Sequence, residues 1–237
     1  MAMKFRAHDT FFIRKGWLSK GMERIVEKPD LFVDKSENPM DILGSGSNMV
    51  KALRYWLQVV GLTQEPNKGR RLQSLTNLGQ LIFDNDRYIE ELGTLYLLQY
   101  KLASQKEEAT AWYYFFNEFS MSEFTREEFV QSLQNYILMA EDADIVAIRS
   151  LNDDFACIIN TYLPRYKSNP GKVSAENNIG KVFNLDAITM LDVLHEIESL
   201  GKIKIIRTAG LDVIRLNEKL TFNECVEKYY ETIDERM

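Results

Sequence analysis

The chain has 237 residues, of which 45% are hydrophobic and 27% charged, and its formal net charge is −6. That balance excludes a disordered tail, a collagenous repeat and a coiled-coil rod, and the length suffices to bury a core without metal or disulfide staples. With 12 glycines and 5 prolines, long stretches are free to form regular structure, and helix is the expected form.

Cys157 and Cys225 stand 68 residues apart, neither with a second Cys or a His at ligand spacing. Reduced, buried thiols are expected, with no metal site. No apolar run approaches the roughly 20 residues that span a bilayer, and the opening MAMKFRAHDTFF has no signal-peptide core. A cytoplasmic protein with no membrane contact is the expectation.

The net charge hides a split. Residues 1–75 carry 13 Lys/Arg against 8 Asp/Glu, a net of +5, so the remainder carries −11. Such asymmetry marks a nucleic-acid-facing end on an acidic body, or it is an accident of composition.

In chain order, residues 17–28 read as a helix with Leu18, Met22, Ile25 and Val26 on one side. Asn38 before Pro39 is an N-cap with proline at the first helical position, opening a short helix through Leu43. Gly44 makes the turn, and Ser45 or Ser47 caps a third helix running to about Val60 and stopping at Gly61. GLTQEPNKGRRLQSLT then reads as strand, turn, strand. Three helices followed by a hairpin predict a winged helix-turn-helix within residues 1–75.

On the third helix, Val50, Leu53, Leu57 and Val60 share the side expected to face the core. Lys51, Arg54, Tyr55 and Gln58 share another, which Ser47 and Asn48 extend to the N-terminus, and none of these residues is a carboxylate. Cations and amides on one face suit a helix in a major groove, with Lys68, Arg70 and Arg71 of the wing on phosphate. A basic solvated face, or one that binds protein, is the alternative.

The middle, residues 76–165, reads as helical. TLYLLQYKLASQ and ATAWYYFFNEFS are apolar around most of their circumference, Thr125 and Glu128 form a capping box, and a helix from Leu151 to Leu163 stops at Pro164. The consecutive aromatics Trp112 to Phe116 point all round a helix, which favours core packing over a base-stacking platform. Residues 166–237 begin as a polar stretch, followed by a helix over 186–200 that contains His195, a hairpin about Ala209-Gly210 and a helix capped by Thr221 and Glu224. They predict a second winged-helix-like unit with a C-terminal helix. The expected class is mainly α (α+β).

No phosphate-binding loop, nucleophile elbow or metal-ligand motif is present. Asp84/Asp86 and Asp153/Asp154 read as solvated or capping carboxylates rather than a metal site. His8 lies in a cluster with Arg6, Asp9, Arg14 and Lys15. It suits acid–base work or phosphate binding, or, preferably, a structural tie between the N-terminal segment and the body. His8 and Asp9 are the candidate catalytic residues; Arg6, Arg14 and Lys15 are candidate DNA contacts.

At these residues a family resemblance becomes visible. Phe5-Arg6-Ala7-His8-Asp9-Thr10-Phe11 and Arg14-Lys15-Gly16-Trp17-Leu18 resemble the opening of a bacterial domain-of-unknown-function family, number 4007. The resemblance continues through Gly44 to Val50, Arg54-Tyr55-Trp56, Leu78-Gly79, Ile82-Phe83, Thr94 to Leu97, Ala109 to Tyr113 and Thr208 to Leu211. The family includes SspB-like proteins of DNA phosphorothioation systems that act in defence against phage. The resemblance implies a DNA-binding component, either a nickase, with divalent metal if so, or a non-catalytic adaptor or scaffold. It also implies a cysteine desulfurase, an ATPase and an ATP-pyrophosphatase-like sulfur-transfer protein as partners, and leaves a homo-oligomer open. Ala7 and Asp9 stand where the family pattern has Gly and Glu, and the stretch from Pro164 to Gly180 is shorter than that pattern.

Overall fold

The computed structural model describes residues 3–66, 68–121, 123–140, 145–162 and 173–174. The helix over 186–200, the hairpin about Ala209-Gly210 and the helix opening at Thr221 lie outside the described residues, as do His195 and Cys225. What is described is mainly helical.

The helix α1 spans Lys15–Glu27. Leu18, Met22 and Ile25, one and two turns apart, are buried, whereas Val26, expected beside them, is 49% exposed. A step of roughly 100° per residue carries Val26 off the stripe that Ile25 closes. The short α2, Pro39–Leu43, starts as its sequence dictates: the Asn38 side chain accepts the Met40 N–H, and Gly44 ends the helix in the left-handed conformation.

The third helix, α3, spans Ser47–Val59. Its N-cap is Gly46 rather than either serine, and no side chain caps it; the Ser45 hydroxyl instead donates to the Leu43 carbonyl at 3.2 Å. Val50, Leu53, Leu57 and Val60 are buried as the periodicity predicts, each large aliphatic contributing about 1.5–3 kcal/mol relative to exposure. Trp56 joins them. A Cβ added at Gly21 would lie 2.7 Å from Leu57 Cδ1, so α1 and α3 pack closely at that glycine.

The expected hairpin is present but short. β1, Thr63–Gln64, pairs antiparallel with β2, Ser74–Leu75, with Thr63 opposite Leu75. Beyond this pairing Pro66 has no N–H to extend the ladder, and the Gln73 N–H donates to the Pro29 carbonyl while the Glu65 side chain turns back onto α3. Thr76 caps α4, Asn77–Asn85, by accepting the Gly79 N–H at 2.9 Å.

Four more helices follow among the described residues: α5, Leu92–Ala103; α6, Thr110–Asn117; α7, Arg126–Leu138; and α8, Ile148–Tyr162. The Thr125/Glu128 capping box forms at the start of α7. β3, Glu123–Phe124, pairs antiparallel with β4, Val173–Ser174. Trp112, Tyr114 and Phe115 are buried, and Phe115, Phe124, Phe129 and Phe155 stack edge-on or tilted at centroid distances from 5.3 to 6.5 Å. These aromatics are core, as the all-round pattern predicts. One continuous apolar cluster runs from Leu18 on α1 to Ile159 on α8, so α3 and the helical middle share a core.

Candidate nucleic-acid interface

The segment ahead of α1 packs against α3 and α8, and hydrogen bonds fix it near both of its ends. Lys4 N–H donates to the Glu107 carbonyl at 2.8 Å, and the Trp56 indole N–H donates to the Phe11 carbonyl at 2.8 Å. Arg6, Asp9 and Thr10 take positive φ values of 56°, 47° and 71°, which curl the segment tightly about His8.

His8 is 1% exposed. Its ring lies 5.8 Å from Trp56 in a stacked arrangement and 5.5 Å from Trp112 edge-on. The Thr10 N–H donates to Nδ1 at 3.1 Å, so the ring proton sits on Nε2, which donates to Asp154 Oδ1 at 2.6 Å. The Arg6 N–H donates to the same oxygen at 2.9 Å, and the Arg6 guanidinium pairs with Asp153 at 2.7 Å. Burial pushes the Asp154 carboxyl above its usual range, and the bonds from His8 and Arg6 only partly offset it. Asp153 and Asp154 on α8, read from sequence as solvated or capping, are therefore the partners that hold Arg6 and His8. Asp9 is half-buried beside them. Arg14 precedes α1 and lies over the rings of Phe12, at 4.5 Å, and Trp17, at 5.1 Å; Lys15 is the first residue of α1.

On α3, Asn48 and Lys51 are exposed. Arg54, Tyr55 and Gln58 are half-buried, and each is engaged. Arg54 Nε and Nη2 donate to the two oxygens of Glu65, both at 2.7 Å, and the amides of Gln58 and Gln73 also donate to Glu65 Oε1. The Tyr55 hydroxyl donates to the Glu108 carbonyl at 3.0 Å, and burial raises its pKa well above the usual value. The helix face has no carboxylate of its own, but the loop after β1 lays one across it. Burial would push the Glu65 carboxyl up; the Arg54 hydrogen bonds and charge, with the two glutamines, outweigh that and hold it below its usual value.

A cleft of about 620 Å³ runs along this face, lined by Lys4, Lys51, Arg54, Gln58, Glu65 and Arg71 among others. In the hairpin loop Lys68, Arg70 and Arg71 are exposed. Arg70 pairs with Asp30 at 2.7 Å, while Lys51, Lys68 and Arg71 have no carboxylate partner among the described residues. Lys51, Arg54, Tyr55 and Gln58 of α3 and Arg71 of the loop thus line one cleft, whereas Lys68 and Arg70 do not line it. His8 and Asp154 form a buried pair, whereas Arg6 is exposed and Ala7 between Arg6 and His8 lines the cleft. Sequence reasoning missed Glu65, whose position after the first strand gave no sign that it returns to α3.

The described residues contain no group of three His, Cys, Asp or Glu that could hold a metal ion. Among them, no helix is long and apolar enough to cross a membrane.

The family model described as "Protein of unknown function (DUF4007)" matches residues 5–179. The chain is similar to the SspB chain of a magnesium ion-bound SspB crystal structure, with 31% identity, a TM-score of 0.63 and coverage of 70% of this chain. It spans about half, 51%, of the length of that SspB chain. It also shares its fold with a second SspB crystal structure, at 20% identity and a TM-score of 0.70, over 98% of this chain and 87% of the other. No curated protein matches the sequence.

Proposed function

The chain belongs to the DUF4007 family, and from that premise we propose that it engages duplex DNA within a DNA phosphorothioation system of the SspB kind. The supporting observation is the cleft that Lys51 and Arg54 of α3 line together with Arg71 of the hairpin loop, with Asn48 and Lys68 also exposed. In this reading α1 to α3 and the hairpin form a winged helix-turn-helix. The α3 face enters a groove, Lys51 contacts phosphate, and Lys68, Arg70 and Arg71 clamp the adjacent backbone. Arg14 and Lys15 flank the same N-terminal region as further backbone contacts. Arg6 is turned to Asp153 and serves the body of the protein.

His8 holds the N-terminal segment in place rather than acting on a scissile bond, since both ring nitrogens are engaged internally and the ring is buried. The nearest carboxylates, Asp153 and Asp154, are committed to Arg6 and His8. The described residues bring together no group of three His, Cys, Asp or Glu for a divalent ion. A DNA-binding adaptor is the reading their geometry supports, with the desulfurase, ATPase and sulfur-transfer proteins of such a system as its partners.

The test is fluorescence anisotropy on duplex and single-stranded DNA across a salt series, alongside supercoiled-plasmid nicking with and without magnesium. The adaptor binds duplex in a steeply salt-dependent manner and leaves plasmid intact, and Lys51→Glu/Arg54→Glu abolishes the binding. Nicking by the wild type overturns the adaptor reading, its loss in a folded His8→Ala variant overturns the structural role of His8 as well, and binding indifferent to the charge reversal overturns the assigned face.

A further inference from the structure

We propose that Glu65 is a positioning residue, which holds Arg54 so that its outer N–H pair reads the O6/N7 edge of a guanine in duplex DNA. The inference rests on the DNA-engagement reading above and names what one of its residues recognises.

A guanidinium has five N–H groups in a fixed planar fork. Glu65 takes the side pair, one from Nε and one from Nη2, at 2.7 Å each. The end-on pair, from Nη1 and the second N–H of Nη2, has no partner among the described residues. Arg54 lines the 620 Å³ cleft on one flank of α3 and a second cleft of about 320 Å³ on the other, so it stands on the ridge between them. The guanidinium carbon also lies 5.6 Å from the centre of the Phe32 ring. The side chain is thus fixed by one edge and supported by an aromatic ring.

Glu65 is itself held. Its Oε1 accepts from the amides of Gln58 and of Gln73, and Gln73 is 2% exposed. Four N–H groups from three side chains converge on one carboxylate, far more than a casual surface ion pair requires.

Charge decides which ligand this arrangement suits. The Arg54–Glu65 pair is close to neutral, so an incoming phosphate would meet the Glu65 carboxylate behind the guanidinium and lose most of the attraction. A neutral two-acceptor edge meets no such repulsion and gains two parallel hydrogen bonds. In duplex DNA the guanine O6/N7 pair has that spacing and polarity in the major groove. Lys51, on the preceding turn, is exposed and without a carboxylate partner among the described residues, and it suits phosphate instead. The two cations of α3 therefore divide the work: Lys51 positions and Arg54 specifies.

The experiment selects duplexes from a random-sequence library with the full chain. It then measures the affinity of the selected duplex with each guanine replaced in turn by 7-deazaguanine, which lacks N7. One guanine should carry a penalty of about tenfold or more. That penalty should vanish in both Arg54→Lys and Glu65→Gln, while the salt slope of the remaining binding persists. Circular dichroism confirms that both variants are folded, and Arg54→Lys keeps the test valid if Glu65→Gln does not fold. If Glu65→Gln instead tightens binding to every duplex by a common factor, the carboxylate is an internal competitor for phosphate and the inference is overturned. It is overturned equally if the wild type binds duplex with no guanine dependence. A wild type that binds no duplex even at low salt removes the DNA reading itself, an outcome distinct from binding without base preference.

Discussion

His8 and Asp154 are 146 residues apart in sequence, yet Nε2 lies 2.6 Å from Oδ1 with both side chains buried. A pair closed over that distance in the chain fixes the N-terminal segment to α8. His8→Ala leaves Asp154 buried without its main partner and should cost about 3 kcal/mol, read as a lower midpoint in urea unfolding.

The same pair imposes a pH dependence. The folded Asp154 carboxyl titrates above its unfolded value because burial penalises the charge. Its contribution to stability is therefore fully present below about pH 4, the ordinary aspartate value, and is lost as pH rises through the folded value. Asp154→Asn removes this titration. The stability of the wild type relative to that variant should fall between acid and neutral pH; a flat difference across pH 3 to 8 would contradict the assignment.

Two glycines provide a matched comparison. A Cβ at Gly79 would lie 1.9 Å from the Leu62 carbonyl oxygen, a backbone atom that also accepts the Thr76 N–H. Gly79→Ala should cost about 3 kcal/mol or more through overpacking at the junction of α4 and the hairpin. At Gly16, in the first turn of α1, nothing lies within 4 Å of the added carbon. Gly16→Ala should be neutral or gain up to about 1 kcal/mol from helix propensity. Thermal or urea unfolding of the two variants checks both.

Trp56→Phe retains an aromatic ring in the core but deletes the bond to the Phe11 carbonyl. The expected result is faster amide hydrogen exchange over residues 5–14, with global stability reduced by about 1–3 kcal/mol. Unchanged exchange in that segment would show that the other ties suffice.

If α3 and the hairpin loop contact phosphates, Lys51→Ala and Arg71→Ala should each lower the log–log salt slope of duplex binding by roughly 0.9. Arg70→Ala should weaken binding less at the same salt, since Asp30 already offsets that charge.

Most of the helices were legible because their signals are local. Asn38 and Pro39 fix the start of α2 within three residues, Thr125 and Glu128 do the same for α7, and the apolar side of α3 follows from its period. The same periodicity separates Ile25 from Val26 only when the width of the stripe is respected. Gly46 rather than either serine is the N-cap of α3, and the Ser45 hydroxyl is turned back to the Leu43 carbonyl. What could not be read were the contacts between distant segments. The α3 strip was legible as a set of residues, but not the carboxylate laid across it, because Glu65 reaches Arg54 by a loop return rather than by helical spacing. Asp153 and Asp154 were likewise indistinguishable in sequence from ordinary surface acids until α8 met the N-terminal segment.

The Trp56–Phe11 bond places a linkage on the buried side of α3, behind the exposed side that carries Asn48 and Lys51. Tilting that helix by a fraction of a turn would drag the Phe11 carbonyl with it and strain the imidazole clamp on α8. If that exposed side docks on DNA as proposed, the load would reach α8 through this linkage before any side chain there meets a ligand.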